Sequence, residues 1–323
     1  MQLYNAITGF AVGDAIGVPY EFKKRNTFNC VGMRASTFKD AHLLLPRGSW
    51  SDDTSLMLCV LDALTVKRKY DVMELPPMTQ EQIDARHSRI RRQVYKRFKY
   101  NALAWLFCGK YTNHWYHIPY DVGNSCFRGI MSMLLSLRNK RADAITANGN
   151  GGLMRILPLA FMQYSDDNEL MDYIKLFNHC SHNHMISHVG CLIYIKLAQI
   201  LQKEPENISK ALSKAIKTID EKYQIPEYQR IWDLSILYAE KNDVKSSGYV
   251  VDTLEAAIWC LAHAESYAQA VFAAVNLGGD TDTIAALTGG LSGIYHKNVP
   301  KTWVKYTRRR DFLHKMCTKL KGE

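Results

Sequence analysis

Residues 48–64 read GSWSDDTSLMLCVLDAL, and this stretch predicts a helix whose first turn carries chemistry. Apolar residues recur every three or four positions along it, which is the spacing of one helix face. Two adjacent carboxylates, Asp52 and Asp53, stand among hydroxyl residues where that helix would begin. One such residue would suffice as a helix cap, and adjacent carboxylates repel each other unless a hard cation lies between them. The stretch therefore predicts either a cap or one half of a metal site.

A second stretch of the same form lies far along the chain, where residues 278–295 read GGDTDTIAALTGGLSGIY. Asp280 and Asp282 stand two positions apart, so both can face one point from the loop before the helix. Two such clusters favour one shared binuclear site over two separate caps. Oxygen ligands without paired Cys or His residues favour two Mg²⁺ or Mn²⁺ ions over zinc.

The rest of the chain predicts an all-α, compact multi-helix fold. Helical spacing of apolar residues recurs over 186–197 and 254–262, and alternating β patterns are hard to find. With 323 residues, 47% of them hydrophobic, the chain can bury a large core. We expect a single domain over residues 1–300, followed by a basic C-terminal helix or tail over residues 301–323.

The formal net charge of +10 is concentrated in two segments, residues 86–99 and 301–321. Such charge favours polyanions, but a solvated helix face and a charged tail are the favoured explanation. No zinc finger or RNP-type aromatic motif accompanies it, so no specific nucleic-acid partner is expected.

Localisation is predicted from the N-terminus, the apolar runs and the cysteines. The N-terminus has no leading positive charges and contains Asp14, so it is a poor signal peptide. No apolar run approaches the roughly 20 residues that span a bilayer, so no membrane partner is expected. Eight scattered cysteines without a CxxC pair are typical of reduced core residues. We therefore expect a cytoplasmic protein.

Several other elements suit a charged sugar-nucleotide ligand. The glycine-rich residues 148–155 read NGNGGLMR, and exposed N–H groups in such a loop can cradle phosphates, although an ordinary turn is the alternative. Asp121 lies in a Gly/Asn-rich loop, where a helix cap is the alternative role. Asp14, among small residues, is expected to be buried and to support the metal site. The histidines at 179, 182 and 184 have either a structural or a ligand role.

Together these elements resemble the ADP-ribosylglycohydrolase family. The matching blocks occur in the family's order from residue 9 to about 296: GFAVGDAIGVPYEF, GSWSDDTSLML, DVGNS, NGNGGLMRILPLAF, the SH of CSHNH, GYVVDTLEAAIW and LGGDTDTIAALTGGLSGIYH. The resemblance implies an all-helical fold with a binuclear Mg²⁺ or Mn²⁺ centre at the base of an ADP-ribose cleft. It also implies a partner, either an ADP-ribosylated protein or another ADP-ribose conjugate.

The resemblance also implies roles for individual residues. It places metal ligands in the two acidic blocks, at Ser51, Asp52, Asp53, Asp280, Asp282 and Thr283. Asp121 matches the aspartate near the distal ribose, and Glu21 matches a glutamate that can cover the metals. The diphosphate loop matches Asn150, Gly151, Gly152, Leu153 and Met154. His182 and the pair Gly248 and Tyr249 match positions near the nucleotide.

Three departures from the family pattern accompany this match. Ser51 stands where threonine is commoner, and Gly152 replaces a frequent serine, which removes one phosphate donor. The basic segment 86–99 is longer than usual. None of these changes removes a carboxylate from the acidic blocks. The C-terminal residues 307–323, TRRRDFLHKMCTKLKGE, lie outside the match.

The predicted function is hydrolysis of the bond between C1 of the distal ribose of ADP-ribose and an acceptor atom. A metal-bridging carboxylate, Asp53 or Asp282, or else Asp121, would accept the proton of the attacking water. Two alternatives remain open. One is a non-catalytic ADP-ribose binder or structural protein on the same fold, and the other is a two-metal phosphohydrolase that acts on nucleotides.

Overall fold

The computed structural model describes residues 1–38, 43–71, 78–113, 119–203 and 207–322, and within them the fold is all-α, as predicted. The described part contains helices α1 to α13 and one short antiparallel hairpin of β1 (Ser36–Phe38) and β2 (Leu43–Leu45), which the sequence did not predict. The helices are, in chain order, Gln2–Gly17, Asp52–Asp71, Gln80–Cys108, Asn124–Leu134, Asp167–Asn178, Met185–Lys203, Ile208–Lys217, Gln229–Trp232, Val250–Ala262, Tyr267–Val275, Thr281–Tyr295, Lys301–Tyr306 and Arg310–Lys321.

The centre of the fold is an antiparallel pair formed by the first helix, α1, and the late helix α11. Their backbones touch through glycines spaced four apart on α1, because a β-carbon at Gly9 or Gly13 would collide with a carbonyl oxygen of α11. On α11, a β-carbon at Gly293 would likewise collide with the carbonyl oxygen of Asn5 on α1. Only glycine permits so close an approach of two helices. The pair brings the C-terminal end of α1 beside the first turn of α11.

The C-terminal residues 301–323, predicted as a basic helix or tail, form α12 and α13 within the described part. Helix α13 buries Leu313, Met316, Cys317 and Leu320 against the core. Its Lys319 bonds to the buried Asp62 of α2, which also accepts bonds from Arg97 at 2.9 Å and Tyr111 at 3.0 Å. Burial opposes ionisation of Asp62, but its bonds to Lys319 and Arg97 outweigh burial and lower its pKa. The basic C-terminus is thus joined to the helix that carries Asp52 and Asp53.

The basic segment 86–99 lies on the long helix α3, which packs against α2. Its apolar residues Ile90, Val94 and Phe98 are buried. Its cationic side chains are exposed or half-buried, the exposed ones being Arg89, Arg92 and Lys96. This is the arrangement of an amphipathic helix with a solvated charged face, one of the two readings that the sequence left open.

One helix, α6, is long and apolar enough to cross a membrane by length and composition, which the sequence analysis did not expect. Within the protein, 72% of its most apolar window is buried. Residues such as Val189, Ile193 and Leu197 pack in the core, and α6 contacts α5, α7, α9 and α11. Packing inside the protein therefore accounts for its apolar character.

Candidate active site

The first acidic cluster is held in place by a buried side chain of α1. Asp14 accepts hydrogen bonds from the N–H of Ser51 at 2.8 Å, and from the N–H and the hydroxyl of Thr54 at 3.1 and 2.5 Å. Burial raises the pKa of Asp14 to about 7, although these hydrogen bonds oppose the increase. Asp14 therefore supports the start of α2, in agreement with the expected supporting role, and fixes the turn that presents Asp52 and Asp53.

The second acidic cluster is fixed by backbone contacts at the start of α11. Gly279 accepts a hydrogen bond from Phe22 at 2.8 Å and donates one to the carbonyl of Lys23 at 2.9 Å. The N–H of Asp280 bonds to the carbonyl of Ser246 at 3.0 Å, and the Thr281 hydroxyl bonds to the carbonyl of Gly17 at 2.9 Å. These bonds join the loop before α11 to the end of α1, so the two acidic clusters meet.

Both clusters line one cleft with a volume of about 250 Å³. All four aspartates of the acidic blocks, and most of the other predicted residues, face this space. The lining residues are Glu21, Phe22, Asp52, Asp53, Asp121, Gly123, Asn124, Ser125, Cys126, Gly149, Asn150, Gly151, Met154, His182, Asp280, Asp282 and Thr283. The structure thus brings together residues that are more than two hundred positions apart in the sequence.

Carboxylates dominate the electrostatics of this cleft. Oxygen atoms of Glu21, Asp121 and Asp282 all lie within 4.8 Å of one another, which is a group that could hold a metal ion. Burial, followed by the charge and hydrogen bond of Asp121, raises the pKa of Glu21 to about 10. Burial and neighbouring carboxylates also raise the pKa of Asp52, Asp53 and Asp282 well above the ordinary value. No lysine or arginine lies among the described residues that line the cleft.

Two buried carboxylate oxygens fit a hard cation especially well. Asp53 Oδ2 and Asp282 Oδ1 have no hydrogen-bond partner among the described residues, and the two side chains are only 2% and 3% exposed. An unpaired buried carboxylate is costly, and a divalent cation satisfies both its charge and its lone pairs. The hydroxyl of Thr283 lines the same space. The donor set therefore fits one or more oxygen-coordinated divalent cations.

Asp121, which stands alone in the sequence, is part of the carboxylate group in the fold. Its backbone is left-handed, with φ of 57°, a conformation that Asp and Asn adopt more readily than most residues. Burial raises the pKa of Asp121, a hydrogen bond with Glu21 opposes this increase, and the charge of Asp280 adds to it. Gly123, at the start of α4, donates its N–H to Asp52 at 3.4 Å. The loop before α4 is thereby placed over the first acidic cluster.

The glycine-rich loop forms another wall of the cleft and is tied to the second acidic cluster. Asn150 donates its side-chain N–H to Asp280 at 2.8 Å and to the Thr253 hydroxyl at 3.0 Å. Its backbone N–H bonds to the carbonyl of Gly248 at 2.9 Å. The N–H groups of Gly151 and Gly152 have no acceptor among the described residues, as is usual for the first turn of a helix. Of the two, only Gly151 lines the cleft, where its N–H is available to an anionic ligand.

A buried arginine, which the sequence analysis did not single out, organises this loop. Arg155 is 1% exposed and donates to the carbonyl of Gly151 at 2.6 Å and to the Ser181 hydroxyl at 2.8 Å. That hydroxyl keeps its own hydrogen for His182 Nδ1, which lies 2.9 Å away. Burial and the charge of Arg155 lower the pKa of His182 to about 3, so the ring is neutral. The network therefore assigns the ring hydrogen to Nε2, which makes His182 a donor on the cleft wall.

Five residues from the predicted site do not line the cleft: Ser51, Gly152, Leu153, Gly248 and Tyr249. Ser51 lies beneath it, where its hydroxyl accepts the N–H of Asp53 at 3.2 Å and caps α2. Leu153 is fully buried in the core. A β-carbon at Gly152 would lie 2.7 Å from Asn178 Nδ2, so a side chain here would displace that amide. A β-carbon at Gly248 would lie 3.1 Å from Asp280 Oδ2, and the exposed Tyr249 pairs with Gly149 in a β-bridge.

The family model described as ADP-ribosylglycohydrolase matches residues 2–323, which is nearly the whole chain. The chain belongs to the ADP-ribosylglycohydrolase family. This confirms the predicted family and the predicted enzyme class, a hydrolase of the glycosidic bonds of ADP-ribose. The match extends through α13, beyond the blocks on which the resemblance was based.

Curated relatives of this ADP-ribosylglycohydrolase are distant but match over most of their length. The chain is 25% identical over 323 residues to the ADP-ribosylarginine hydrolase Tri1 of Pseudomonas putida, covering 98% of this chain and 76% of the relative. It is 24% identical to the ADP-ribosyl-[dinitrogen reductase] glycohydrolase of Rhodospirillum rubrum, covering 93% and 87%. It is 18% identical to the ADP-ribosylhydrolase ARH3 of Gallus gallus, covering 84% and 77%.

A solved structure described as an ADP-ribosylglycohydrolase-related protein complex shares the fold. It aligns with a TM-score of 0.72 and 23% identity, over 99% of this chain and 96% of that chain. The similarity confirms the all-α ADP-ribosylglycohydrolase fold.

Gly151→Val is expected to lower the affinity of this ADP-ribosylglycohydrolase for ADP-ribose by about tenfold to hundredfold. A β-carbon at Gly151 would lie 2.6 Å from His182 Cε1 and 3.0 Å from Cys126 Sγ, so the substitution displaces the histidine donor. Isothermal titration with ADP-ribose measures the change. Gly32→Val is the matched control, because a β-carbon at Gly32 meets nothing within 4 Å. Unchanged ADP-ribose affinity in a folded Gly151→Val protein would show that the loop is only a turn.

Proposed function

We propose that this ADP-ribosylglycohydrolase binds the distal ribose of an ADP-ribose conjugate over the carboxylates of the cleft and releases the acceptor. The substrate would be an ADP-ribosylated protein or a related conjugate. Six carboxylates lining one cleft, two of them with unpaired buried oxygens, are the observation that carries the proposal.

Two Mg²⁺ or Mn²⁺ ions would be held by Asp52, Asp53, Asp280, Asp282 and Thr283. These side chains line the cleft and supply the oxygen donors that hard cations prefer. When bound, such ions supply Lewis-acid polarisation and lower the pKa of water. Asp14 would keep the first two aspartates in register, because it bonds to the backbone on both sides of them.

The chain's own residues would then manage the proton and the leaving acceptor. Glycoside cleavage passes through an oxocarbenium-like state, which nearby negative charge stabilises. Asp121 is the proposed proton acceptor because it lies at the mouth of the carboxylate group without being part of either acidic helix start. Asp53 and Asp282 are the alternative acceptors, and Glu21 would cover the ions from above.

The nucleotide half would lie along the glycine-rich loop. The free N–H group of Gly151 and the Nε2–H of His182 are two donors in one region of the cleft. Arg155 lies behind them and places a buried positive charge near the loop. Donors and positive charge in this arrangement suit a diphosphate.

The reaction products decide between this function and its alternatives. We expect an arginine- or serine-linked ADP-ribosyl peptide, incubated with the protein and Mg²⁺ or Mn²⁺, to release free ADP-ribose and an unmodified peptide. Mass spectrometry of both products is the measurement. Release of AMP or phosphate instead would identify a two-metal phosphohydrolase, and binding of ADP-ribose without turnover of any conjugate would identify a non-catalytic binder.

A further inference from the structure

A second pocket lies at the opposite end of the α1–α11 pair from the cleft. The cleft is formed where α1 ends and α11 begins, whereas this pocket is lined by residues near the start of α1 and just after the end of α11. At 1.5 Å per residue, the 15 residues of α11 separate the two by roughly 20 Å. The pocket has a volume of about 340 Å³, which is within the range of small-molecule sites. We call it the basic pocket because Lys297, Lys301, Lys305 and Arg310 line it.

The charge of the basic pocket is not balanced by acids. No aspartate or glutamate lies among the described residues that line it. In the described part of the chain, Lys297, Lys301 and Lys305 have no ion-pair partner. Arg310 Nε lies 3.7 Å from Asp311 Oδ1, but the Asp311 side chain is 97% exposed, and such a solvated pair contributes little. The four cations repel one another, so an anion in the pocket is electrostatically favoured.

The basic pocket also contains a buried hydroxyl group that lacks a partner. Thr8 of α1 is 1% exposed and lines the pocket, and its Oγ1 has no hydrogen-bond partner among the described residues. A buried hydroxyl without a partner is costly, and most buried polar groups have one. Threonine in a helix has two accessible rotamers, so rotation about χ1 can turn this hydroxyl toward a ligand in the pocket. This observation is independent of the cations and also indicates a polar ligand.

Lys297 lines the basic pocket from an unfavourable backbone conformation. Helix α11 ends at Tyr295, and Lys297, two residues later, has a left-handed φ of 55°. Glycine is the usual residue at this position after a helix because it has no β-carbon to collide with the backbone. A lysine here therefore costs conformational energy that glycine would avoid, and it adds a cation to the pocket wall. Residues under such strain are frequent at ligand sites.

We propose that the basic pocket binds the diphosphate or polyphosphate group of a small molecule. Lysine binds phosphates as a point charge, and arginine binds them through two N–H groups at once. Four cations match a ligand with several negative charges better than a monoanion such as acetate, which would leave most of the repulsion in place. The volume of about 340 Å³ leaves room for more than one phosphate group. Because no residue of the basic pocket lines the cleft, this inference does not depend on the proposed hydrolase function.

Pyrophosphate is the probe, and its binding to the full chain is measured by calorimetry. The buffer contains no added divalent cations, because these would bind the probe themselves. The double variant Lys301→Glu, Lys305→Glu is expected to bind pyrophosphate more than about tenfold more weakly than the wild type, because attraction becomes repulsion. Thr8→Val keeps the shape of the side chain and removes the hydroxyl. It is expected to weaken binding about threefold to tenfold without lowering the melting temperature of the free protein.

The matched control is the double variant Lys96→Glu, Lys217→Glu. It makes the same change of net charge at two exposed lysines that do not line the basic pocket. Charges outside the pocket are screened by salt, so pyrophosphate affinity is expected to stay within about twofold of the wild type. An equal loss in this control and in the pocket variant would show a response to net charge alone and would overturn the proposal.

Three other results would also overturn the small-phosphate site. The first is pyrophosphate binding that is absent from the wild type or that survives in the folded Lys301→Glu, Lys305→Glu protein. The second is equal affinity for sulfate, which would make the pocket an unselective anion patch. The third is binding of a single-stranded oligonucleotide, but not of pyrophosphate, through the same two lysines, which would assign the pocket to a nucleic-acid backbone. Melting temperatures of each variant identify any loss of folding, and Thr8→Val tests the site without a change of charge.

Discussion

Asp53→Asn is expected to lose its divalent cations and its hydrolytic activity together. The substitution keeps the shape of the side chain but removes the charge of a carboxylate whose Oδ2 has no partner among the described residues. Chelation of the wild-type protein should abolish turnover in the same way, and Mg²⁺ or Mn²⁺ should restore it. Metal content by elemental analysis and turnover of an ADP-ribosyl peptide are the two measurements.

Thermal stability gives this prediction a second, independent measurement. Burial and neighbouring carboxylates raise the pKa of Asp53 in the folded protein. Ionisation of this carboxyl group therefore destabilises the fold, and stability falls as the pH rises above roughly 4, the pKa of Asp in the unfolded chain. In chelator at pH 8, the neutral Asn should therefore melt at a higher temperature than the wild type. With Mg²⁺ present the order should reverse, because only the wild type gains stability from binding.

Asp172→Asn, a change of the same chemistry on the exposed face of α5, is the control and should alter neither metal content nor activity. Full activity of the wild-type protein after exhaustive chelation and dialysis would contradict the metal site. Asp53→Asn protein with normal metal content would contradict the ligand role of that residue.

Asp121→Asn is expected to lower turnover by about 10²–10⁴, the usual range for loss of a general base. Asn adopts the left-handed backbone of residue 121 as readily as Asp does, and it caps helices nearly as well, so the fold should be unaffected. If Asp121 acts on the proton, the variant should still bind ADP-ribose and retain its cations. Single-turnover kinetics, metal content and ADP-ribose affinity separate these quantities.

Carboxylate oxygens of Asp121, Glu21 and Asp282 lie within 4.8 Å of one another, so the same experiment also tests whether Asp121 is a metal ligand. Loss of metal together with turnover would make Asp121 a metal ligand. Wild-type turnover would remove it from the catalytic residues and leave Asp53 and Asp282 as the candidates. Asp143→Asn is a suitable control, since that carboxylate bonds to Arg138 and Asn183 and does not line the cleft.

The convergence of the two acidic clusters could be predicted because each is encoded locally. A pair of acids before an apolar helix is visible in the sequence at Asp52 and at Asp280, and both lie at helix starts in the structure. The supporting role expected of Asp14 could be predicted for the same reason, since an acid among small apolar residues must find partners. The all-α fold followed from helical spacing along the chain.

Other parts of the site depend on contacts that no local pattern encodes. The left-handed conformation of Phe22 exists because Gly279, far away in the sequence, bonds to both sides of it. The position of Arg155 depends on Ser181 and on the carbonyl of Gly151 meeting it in space. The neutral state of His182 follows from its burial beside that arginine. Ser51 matches the ligand block in sequence but faces the helix backbone, because the first N–H groups of α2 require an acceptor.

The glycine contacts between α1 and α11 also determine when the protein can fold during its synthesis. Nearly all of α1 from Ala6 to Gly17 is apolar or buried, and its partner surface is not complete until residue 295 has been made. At 5–20 residues per second, the ribosome needs roughly 15–60 seconds to cover that interval. Throughout this time the N-terminal helix lacks the helix that covers its glycines, although α2 already provides partners for Asp14. The second acidic cluster is consequently the last part of the cleft to be made, so a chain that ends before Asp280 carries only four of the six carboxylates that line the cleft.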